Sequence, residues 1–339
     1  EAILESDTMI NMLKRCLTLL LVFMSGVVFY WLIHFGESHS SFAQQRGGGG
    51  GGAEYEFINP LLECEVGGEG VEFRELNPFK NKVISLVNQI IKAGDASHIS
   101  VYFRDLNNGP WFGINEREVY APGSLLKVPM MITAFRQEEK TPGFLNKTVT
   151  YSKPFELPKE YHQDIKPKVS LEIGKTYSID ELVRRAIIYS DNEATTLASI
   201  QLSDDLFNKV HTNLGVIFPT NETPEDYITI KNYASFFRII FNASYLSREF
   251  SEKALQILSE VDFQDALAAG VPRSIKIAHK FGERGMDNDK QIHDCGIIYY
   301  PNHPYLLCIM NRGANITILS QNIARISKLV YQEIDRQSK

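Results

Sequence analysis

Residues 120–131 read YAPGSLLKVPMM, a turn followed by an apolar segment that contains a single charged side chain. Pro122-Gly123 predicts the turn, and Ser124 stands where a helix would begin. Lys127 follows Ser124 by one helical turn and lies in the most hydrophobic part of that helix. Because burial of an ammonium group is costly, we expect Lys127 to be paired with polar groups or to have a lowered pKa.

The spacing of Ser124 and Lys127 indicates nucleophilic catalysis. A lysine at this position can reach the serine hydroxyl group and accept its proton while the oxygen attacks a carbonyl carbon. The N-terminus of the helix would favour the negative charge that develops there. The alternative is a serine that caps the helix, followed by a lysine whose amine reaches solvent. Ser124 is the only serine in the sequence with a lysine three positions later.

A second polar motif, Ser190-Asp191-Asn192, follows a segment with helical periodicity. Ser190 could pass a proton between Lys127 and a leaving nitrogen, and Asn192 could hold a substrate amide. The alternative is a turn that caps the next helix, since serine, aspartate and asparagine are all common capping residues.

A third motif, His279-Lys280-Phe281-Gly282, lies in a predicted strand. Lys280 could attract a substrate carboxylate, and Gly282 would allow a substrate to approach the edge of the strand closely. The alternative for Lys280 is a solvated lysine on an edge strand.

The distribution of apolar residues predicts an α+β fold. From about residue 121 to 265 the pattern is mostly helical, which indicates a helical lobe inserted between the strands. The other predicted elements are a helix over 78–92, strands over 98–104, 111–115, 275–281, 292–300 and 305–311, and a helix over 318–334. This order predicts an antiparallel sheet flanked by the N- and C-terminal helices.

An apolar run occupies residues 16–35 and is long enough to cross a bilayer. Lys14 and Arg15 precede it, which predicts that the N-terminus is inside and the following residues are outside. The alternative is a cleaved signal peptide with Ser41-Phe42-Ala43 as its cleavage site. In both cases the rest of the chain is exported, either anchored to the membrane through the N-terminal helix or secreted.

These features divide the chain into four predicted parts. They are a short cytoplasmic segment over 1–15, the transmembrane anchor or signal peptide over 16–35, a glycine-rich linker over 36–54 and a catalytic domain over 55–339. The linker contains six consecutive glycines, and such a segment behaves as a flexible tether because it has no side chains to bury.

The composition restricts the partners of the predicted domain. A net charge of −6 without a basic stripe argues against nucleic acid as a partner. The histidines lack ligand-like spacing and the four cysteines include no C-x-x-C pair, so no metal or organic cofactor is expected. We expect a monomer.

Three cysteines, Cys64, Cys295 and Cys308, would meet an oxidising environment in an exported domain. Cys295 and Cys308 lie on either side of a predicted hairpin, near enough to face each other. Cys64 is the other candidate partner for either one, and the sequence does not select the pair. Reduced cysteines would instead be small buried apolar residues.

The three motifs resemble those of the class A β-lactamases and penicillin-binding proteins, which carry S-x-x-K, S-D-N and K-T-G in this order. Here they read SLLK at 124–127, SDN at 190–192 and KFG at 280–282. The resemblance extends from about Asn77 to Arg336. It implies a β-lactamase-like fold and a serine hydrolase that opens a β-lactam amide through an acyl-enzyme.

The resemblance also implies a role for each site residue. Ser124 would form the acyl-enzyme, Lys127 would act as the base, and Ser190 would relay the proton. Asn192 and Lys280 would bind the substrate beside Gly282. The backbone N–H groups of Ser124 and Glu283 would form the oxyanion hole.

Two departures from the family pattern bear on the activity. Class A enzymes activate the water that releases the acyl group with a glutamate in an E-x-x-L-N pattern, and no such pattern follows Ser190 here. Glu222, Glu225 and Asp226 are candidate replacements, with an ordinary surface loop as the alternative. Phe281 stands where the family has threonine or serine, so it cannot donate the hydrogen bond that would hold a substrate carboxylate.

These departures leave two alternatives to a β-lactamase. The first is a penicillin-binding D,D-peptidase or amidase that acts on cell-wall peptides and uses the same acylation residues. The second is a non-catalytic binding module that retains the fold.

Overall fold

A five-stranded antiparallel sheet forms the centre of the protein. The computed structural model describes residues 55–60, 74–107, 109–155, 163–217, 219–220, 222–285 and 289–339. The strands of the sheet lie in the order β2-β1-β9-β8-β7. Their bounds are β1 His98–Asp105, β2 Trp111–Ile114, β7 Ile277–Arg284, β8 Lys290–Ile298 and β9 Tyr305–Gly313. Four shorter strands form two small sheets, with bounds β3 Val119–Tyr120, β4 Thr148–Thr150, β5 Thr176–Ser178 and β6 Ile228–Thr229.

Eight α-helices complete the part of the chain that the structure describes. The first and last are α1 Asn77–Ala93 and α8 Ile316–Gln337, and between them lie α2 Lys127–Lys140, α3 Ile179–Ile188, α4 Asn192–Ser199, α5 Asp204–Thr212, α6 Ile230–Phe241 and α7 Arg248–Ser259. The predicted α+β class, with an antiparallel sheet, terminal helices and an inserted helical lobe, is therefore confirmed.

The two terminal helices share one hydrophobic core with the sheet. Phe79 and Val83 of α1, Ile326 and Val330 of α8, and Val101 of β1 are all buried in this core. The periodic apolar residues on each helix form the face that is removed from water, which is the main stabilisation of such a helix. The helices of the inserted lobe belong to a second and larger core, around α2 and α3.

The observed bounds differ from the predicted ones where local hydrogen bonds begin or end an element. Ile275 was expected in β7, but its N–H donates to the carbonyl of Pro272 in a turn, and the strand begins at Ile277. The last helix begins before residue 318 because the Asn315 side chain accepts from the N–H groups of Thr317 and Ile318.

Cys295 and Cys308 lie directly opposite each other on β8 and β9 and are joined by a disulfide. Cys64, the predicted anchor or signal peptide and the glycine-rich linker lie outside the described residues. Within the described ranges, no helix is both long and apolar enough to cross a membrane.

Candidate active site

Ser124 lies in a tight 3₁₀ turn, Gly123–Leu126, that leads directly into α2. Gly123 has a φ of +50°, and a Cβ atom there would be 2.2 Å from the carbonyl oxygen of Glu283 on β7. Only glycine therefore fits, because both the backbone conformation and the close approach exclude a side chain. The Pro122-Gly123 pair thus fixes the Ser124 turn against the edge strand of the sheet.

The Lys127 amine joins the first two motifs. Nζ is 2.9 Å from Ser124 Oγ, 3.1 Å from Ser190 Oγ and 2.7 Å from Asn192 Oδ1. It also donates to the carbonyl oxygen of Ser190 at 2.7 Å. Lys127 is 4% exposed, and this burial lowers its pKa to about 7, partly offset by the charges of Asp191 and Glu283.

Ser190 lies between the two lysines of the site. Its Oγ is 3.1 Å from both Lys127 Nζ and Lys280 Nζ, and its side chain is fully buried. The backbone of Ser190 has a φ of 55°, a conformation that costs a non-glycine residue about 1–3 kcal/mol. The left-handed turn allows both the carbonyl and the hydroxyl group of Ser190 to contact Lys127.

Asp191 caps α4 directly after Ser190. Its Oδ1 accepts from the N–H groups of Glu193 and Ala194. The capping turn that was the alternative for this motif is therefore present, and it orients Ser190 and Asn192 toward Lys127.

Lys280 is buried although β7 is an edge strand, so the solvated lysine considered as an alternative is wrong. Its Nζ donates to Ser190 Oγ and, at 2.9 Å, to the carbonyl of Phe281. Burial, and then the neighbouring charge of Lys127, hold the pKa of Lys280 well below its ordinary value. The third motif therefore contacts the second through Lys280.

Gly282 has a different role from the predicted one. A Cβ atom on Gly282 would be 2.7 Å from both the Pro122 carbonyl oxygen and the Leu125 side chain. The space beside this glycine is filled by the Ser124 turn, so Gly282 allows the turn to pack on β7 and does not make room for a substrate. This packing also brings the two predicted oxyanion donors, the N–H groups of Ser124 and Glu283, to adjacent segments.

Phe281 is 3% exposed and packs its ring on Phe263, with 4.2 Å between the ring centres. Phe281 also lines a cavity of about 280 Å³, together with Ile165 and Tyr189. An aromatic pair therefore lies where the resemblance predicts a hydroxyl group.

Gln163 is a site residue that the sequence did not indicate. Its Oε1 accepts from Asn192 Nδ2 at 3.0 Å, and its Nε2 is 3.3 Å from the carbonyl oxygen of Ser190. Gln163 lies in the connection between β4 and β5, which carries no motif and no periodic pattern, so no signal in the sequence could have identified it. The side-chain amide of Gln163 therefore already uses the Nδ2 group of Asn192, the residue that was predicted to hold a substrate amide.

The next two residues tie this connection to the sheet. Asp164 pairs with Lys290 at 2.6 Å, and the Ile165 N–H donates to the Glu283 carboxylate at 3.0 Å. Burial raises the pKa of this carboxylate above its ordinary value. The three consecutive residues from Gln163 to Ile165 thus connect the helical lobe to the edge strand beside Ser124.

The three acids considered for water activation make no hydrogen bond to Lys127, Ser190 or Lys280, the three side chains that we call the polar cluster. Glu225 accepts two hydrogen bonds from Arg284, both at 2.6 Å, and Asp226 accepts one from Arg312 at 2.6 Å. Glu222 is exposed. Within the described ranges no carboxylate makes a hydrogen bond to Ser124 or Lys127.

A cavity of about 560 Å³ opens at Ser124, a size typical of sites for small molecules. Its polar end contains Ser124, Lys127, Gln163, Asn192 and Glu283. The described residues include no group of three or more histidine, cysteine or acidic side chains placed to hold a metal ion.

Comparison with known proteins gives both a family and a set of similar folds. Residues 82–334 match the sequence model of the Beta-lactamase enzyme family. A mutant of PBP-A, in a structure of its acyl-enzyme complex with penicillin G, is 21% identical with a TM-score of 0.63, covering 76% of this chain and 97% of that one. No curated protein matches the chain.

Two solved β-lactamases are similar to the same degree. The enzyme from Sphaerobacter thermophilus is 19% identical with a TM-score of 0.65 and covers 76% of this chain and 97% of its own. The class A enzyme from Mycobacterium abscessus is 20% identical with a TM-score of 0.63, and the match covers 75% of this chain and 98% of that enzyme's chain. At these identities the likeness shows the fold alone.

Proposed function

This chain belongs to the Beta-lactamase enzyme family, and we propose that it is a serine hydrolase that opens a β-lactam amide through an acyl-enzyme at Ser124. The observation that carries the proposal is the Lys127 amine, buried and 2.9 Å from Ser124 Oγ. A lysine with a pKa near 7 is partly neutral at neutral pH, so it can accept the serine proton.

The proposed acylation uses the polar groups of the site one after another. Lys127 takes the proton of Ser124 as Oγ forms a bond to the carbonyl carbon, and the N–H groups of Ser124 and Glu283 stabilise the oxyanion. The proton then passes through Ser190 Oγ to the leaving nitrogen as the C–N bond breaks. Lys280 keeps the Ser190 hydroxyl oriented for this transfer through its 3.1 Å contact.

We propose that the acyl group leaves slowly. Attack of water on an acyl-enzyme needs a base. Glu225 and Asp226 are held by arginines, and the Glu283 carboxylate, which lines the cavity, accepts the Ile165 N–H. These contacts argue against rapid β-lactam turnover. A persistent penicillin adduct is the behaviour of a penicillin-binding protein, so a penicillin-binding amidase that acts on cell-wall peptides is the second candidate.

The test is intact-mass spectrometry of the full chain with penicillin G over time, beside a Ser124→Ala control. A Ser124-dependent adduct that persists is the expected result. An adduct that decays quickly would indicate an effective base, and Glu283→Gln then tests whether that carboxylate activates the water. No adduct on either protein would contradict the β-lactam proposal and favour a binding module.

We also propose that the domain over 55–339 is exported. The apolar run over 16–35 with its preceding basic residues supports a membrane anchor or a signal peptide, and the glycine-rich linker supports a tether. Fractionation of cells that express the full chain, with protease added from outside, tests this placement. Protection of the domain in intact cells would contradict it.

A further inference from the structure

The cavity at Ser124 changes character away from the polar cluster. The rest of its wall comes from the Ser124 turn, α2, α5 and the segment that precedes α6, and we call this part the acyl recess. The acyl recess is lined by Leu126, Met130, Phe207, Pro219, Pro224 and Tyr227, together with Thr220 and Thr223, whose hydroxyl groups are 3.2 Å from each other. Apolar side chains therefore form most of a space that begins at the nucleophile.

The hydroxyl groups on the α4 side of the recess are already used. Thr195 Oγ1 donates to the carbonyl of Asp191 at 2.6 Å, and Thr196 Oγ1 donates to the carbonyl of Asn192 at 3.0 Å. Both bonds stay within the helix, so neither hydroxyl hydrogen is available to a ligand. The α4 wall therefore adds little polarity to the recess.

The charges at the rim of the recess are also neutralised within the protein. Glu225 and Arg284 both line the cavity, and they hold each other through two hydrogen bonds of 2.6 Å. A charged group of a ligand would have to break this pair, whereas an apolar group gains the free energy of leaving water.

The direction of acyl transfer decides which part of a substrate enters the recess. The leaving group must lie near Ser190, since that hydroxyl delivers its proton, and the carbonyl oxygen must face the N–H groups of Ser124 and Glu283. The remaining substituent of the carbonyl carbon can occupy neither of these positions, which leaves the apolar wall of the same cavity, including Met130 and Phe207, to receive it.

We infer that the acyl recess binds an apolar acyl group, so that the enzyme prefers esters or amides of carboxylic acids with longer apolar chains over those of short-chain acids. This inference rests on the proposed function of Ser124 and adds the class of acyl group. In the step that tests it, Ser124 Oγ bonds to the acyl carbon of a p-nitrophenyl ester and the bond to p-nitrophenolate breaks. Lys127 takes the serine proton.

The experiment compares p-nitrophenyl acetate, butanoate and hexanoate on the full chain. The rate of p-nitrophenolate release gives kcat/KM for each ester, and Ser124→Ala gives the background to subtract. We expect kcat/KM to rise about fourfold for each methylene group that becomes buried.

A matched pair of variants tests the location of the effect. Ser199 ends α4 and lines the same cavity, so Ser199→Leu should take up space that a long acyl chain needs and reduce the hexanoate-to-acetate ratio about tenfold. Ser244 is exposed and does not line the cavity, so Ser244→Leu should leave the ratio as it is.

The outcomes separate the inference from the proposed function. Ser124-dependent release that does not depend on chain length would overturn the acyl recess and leave the acyl-enzyme intact. An equal change of the ratio in the two leucine variants would also overturn it. Absence of Ser124-dependent release from every ester, together with absence of a penicillin adduct, would overturn the proposed function and the inference with it.

Discussion

The two regions on either side of Ser124 are built by opposite means. The polar cluster of Lys127, Ser190 and Lys280 is buried, and each of these side chains is held by hydrogen bonds at 2.7–3.1 Å. The acyl recess, which Met130 and Phe207 help to line, belongs to an open cavity and is defined by apolar side chains. Buried charges require fixed partners, so the cluster tolerates little change, whereas the recess can vary with the substrate.

The largest effect is expected from removal of the base in the polar cluster. Lys127→Ala should lower the second-order rate constant of acylation by penicillin G about 10²–10⁴-fold, because among the described residues only Lys127 makes a side-chain hydrogen bond to Ser124. Mass spectrometry at short reaction times measures this constant.

Lys140→Ala is the matched control, since Lys140 ends the same helix and is exposed. It should acylate at the wild-type rate. Equal rates for Lys127→Ala and the wild type would mean that another group activates the serine, and the polar cluster would lose its proposed role.

The next effect is the pH dependence of acylation. Because the neutral amine of Lys127 accepts the proton, the rate should rise about tenfold for each pH unit below about 7 and level off above it. A profile from pH 5 to 9 measured on the wild type checks this. A rate that is flat from pH 5, or that falls as the pH rises to 8, would contradict a lysine base with a lowered pKa.

The sequence predicted the burial of Lys127 and the cap at Asp191 better than the rest of the site for a physical reason. The burial of Lys127 follows from its apolar neighbours along the helix, and the cap at Asp191 follows from residue type, so both depend on local sequence. The burial of Lys280 could not be predicted in this way, because its side-chain partner Ser190 comes from a segment 90 residues earlier.

Contacts between distant segments account for the features of the site that the sequence did not predict. Gln163 reaches Asn192 from a connection without a pattern, and Glu225 reaches Arg284 across 59 residues. The Cys295–Cys308 pair was one of the open choices, and the register of β8 and β9 selects it. Such pairings are fixed by the fold, and the local sequence carries no record of them.

A smaller effect is expected at Gln163, which accepts a hydrogen bond from Asn192 beside the polar cluster. Gln163→Ala frees the Asn192 Nδ2 group for a substrate amide, so kcat/KM for penicillin G acylation should rise about two- to tenfold, the range of one hydrogen bond. The initial rate of adduct formation measures it. A decrease would mean that Gln163 positions Asn192, and substrate binding would then depend on both side chains.

The smallest effect concerns stability and contrasts two tyrosines near the site. Tyr227 lines the acyl recess, and its buried hydroxyl has no hydrogen-bond partner among the described residues, whereas the Tyr233 hydroxyl donates to the Leu125 carbonyl at 3.1 Å. Tyr227→Phe should therefore raise the free energy of unfolding by about 1 kcal/mol, and Tyr233→Phe should lower it by a similar amount. Urea unfolding of both variants measures the difference. A loss of stability in Tyr227→Phe would mean that its hydroxyl is satisfied by water in the recess, which would make that end of the cavity more polar than its side chains indicate.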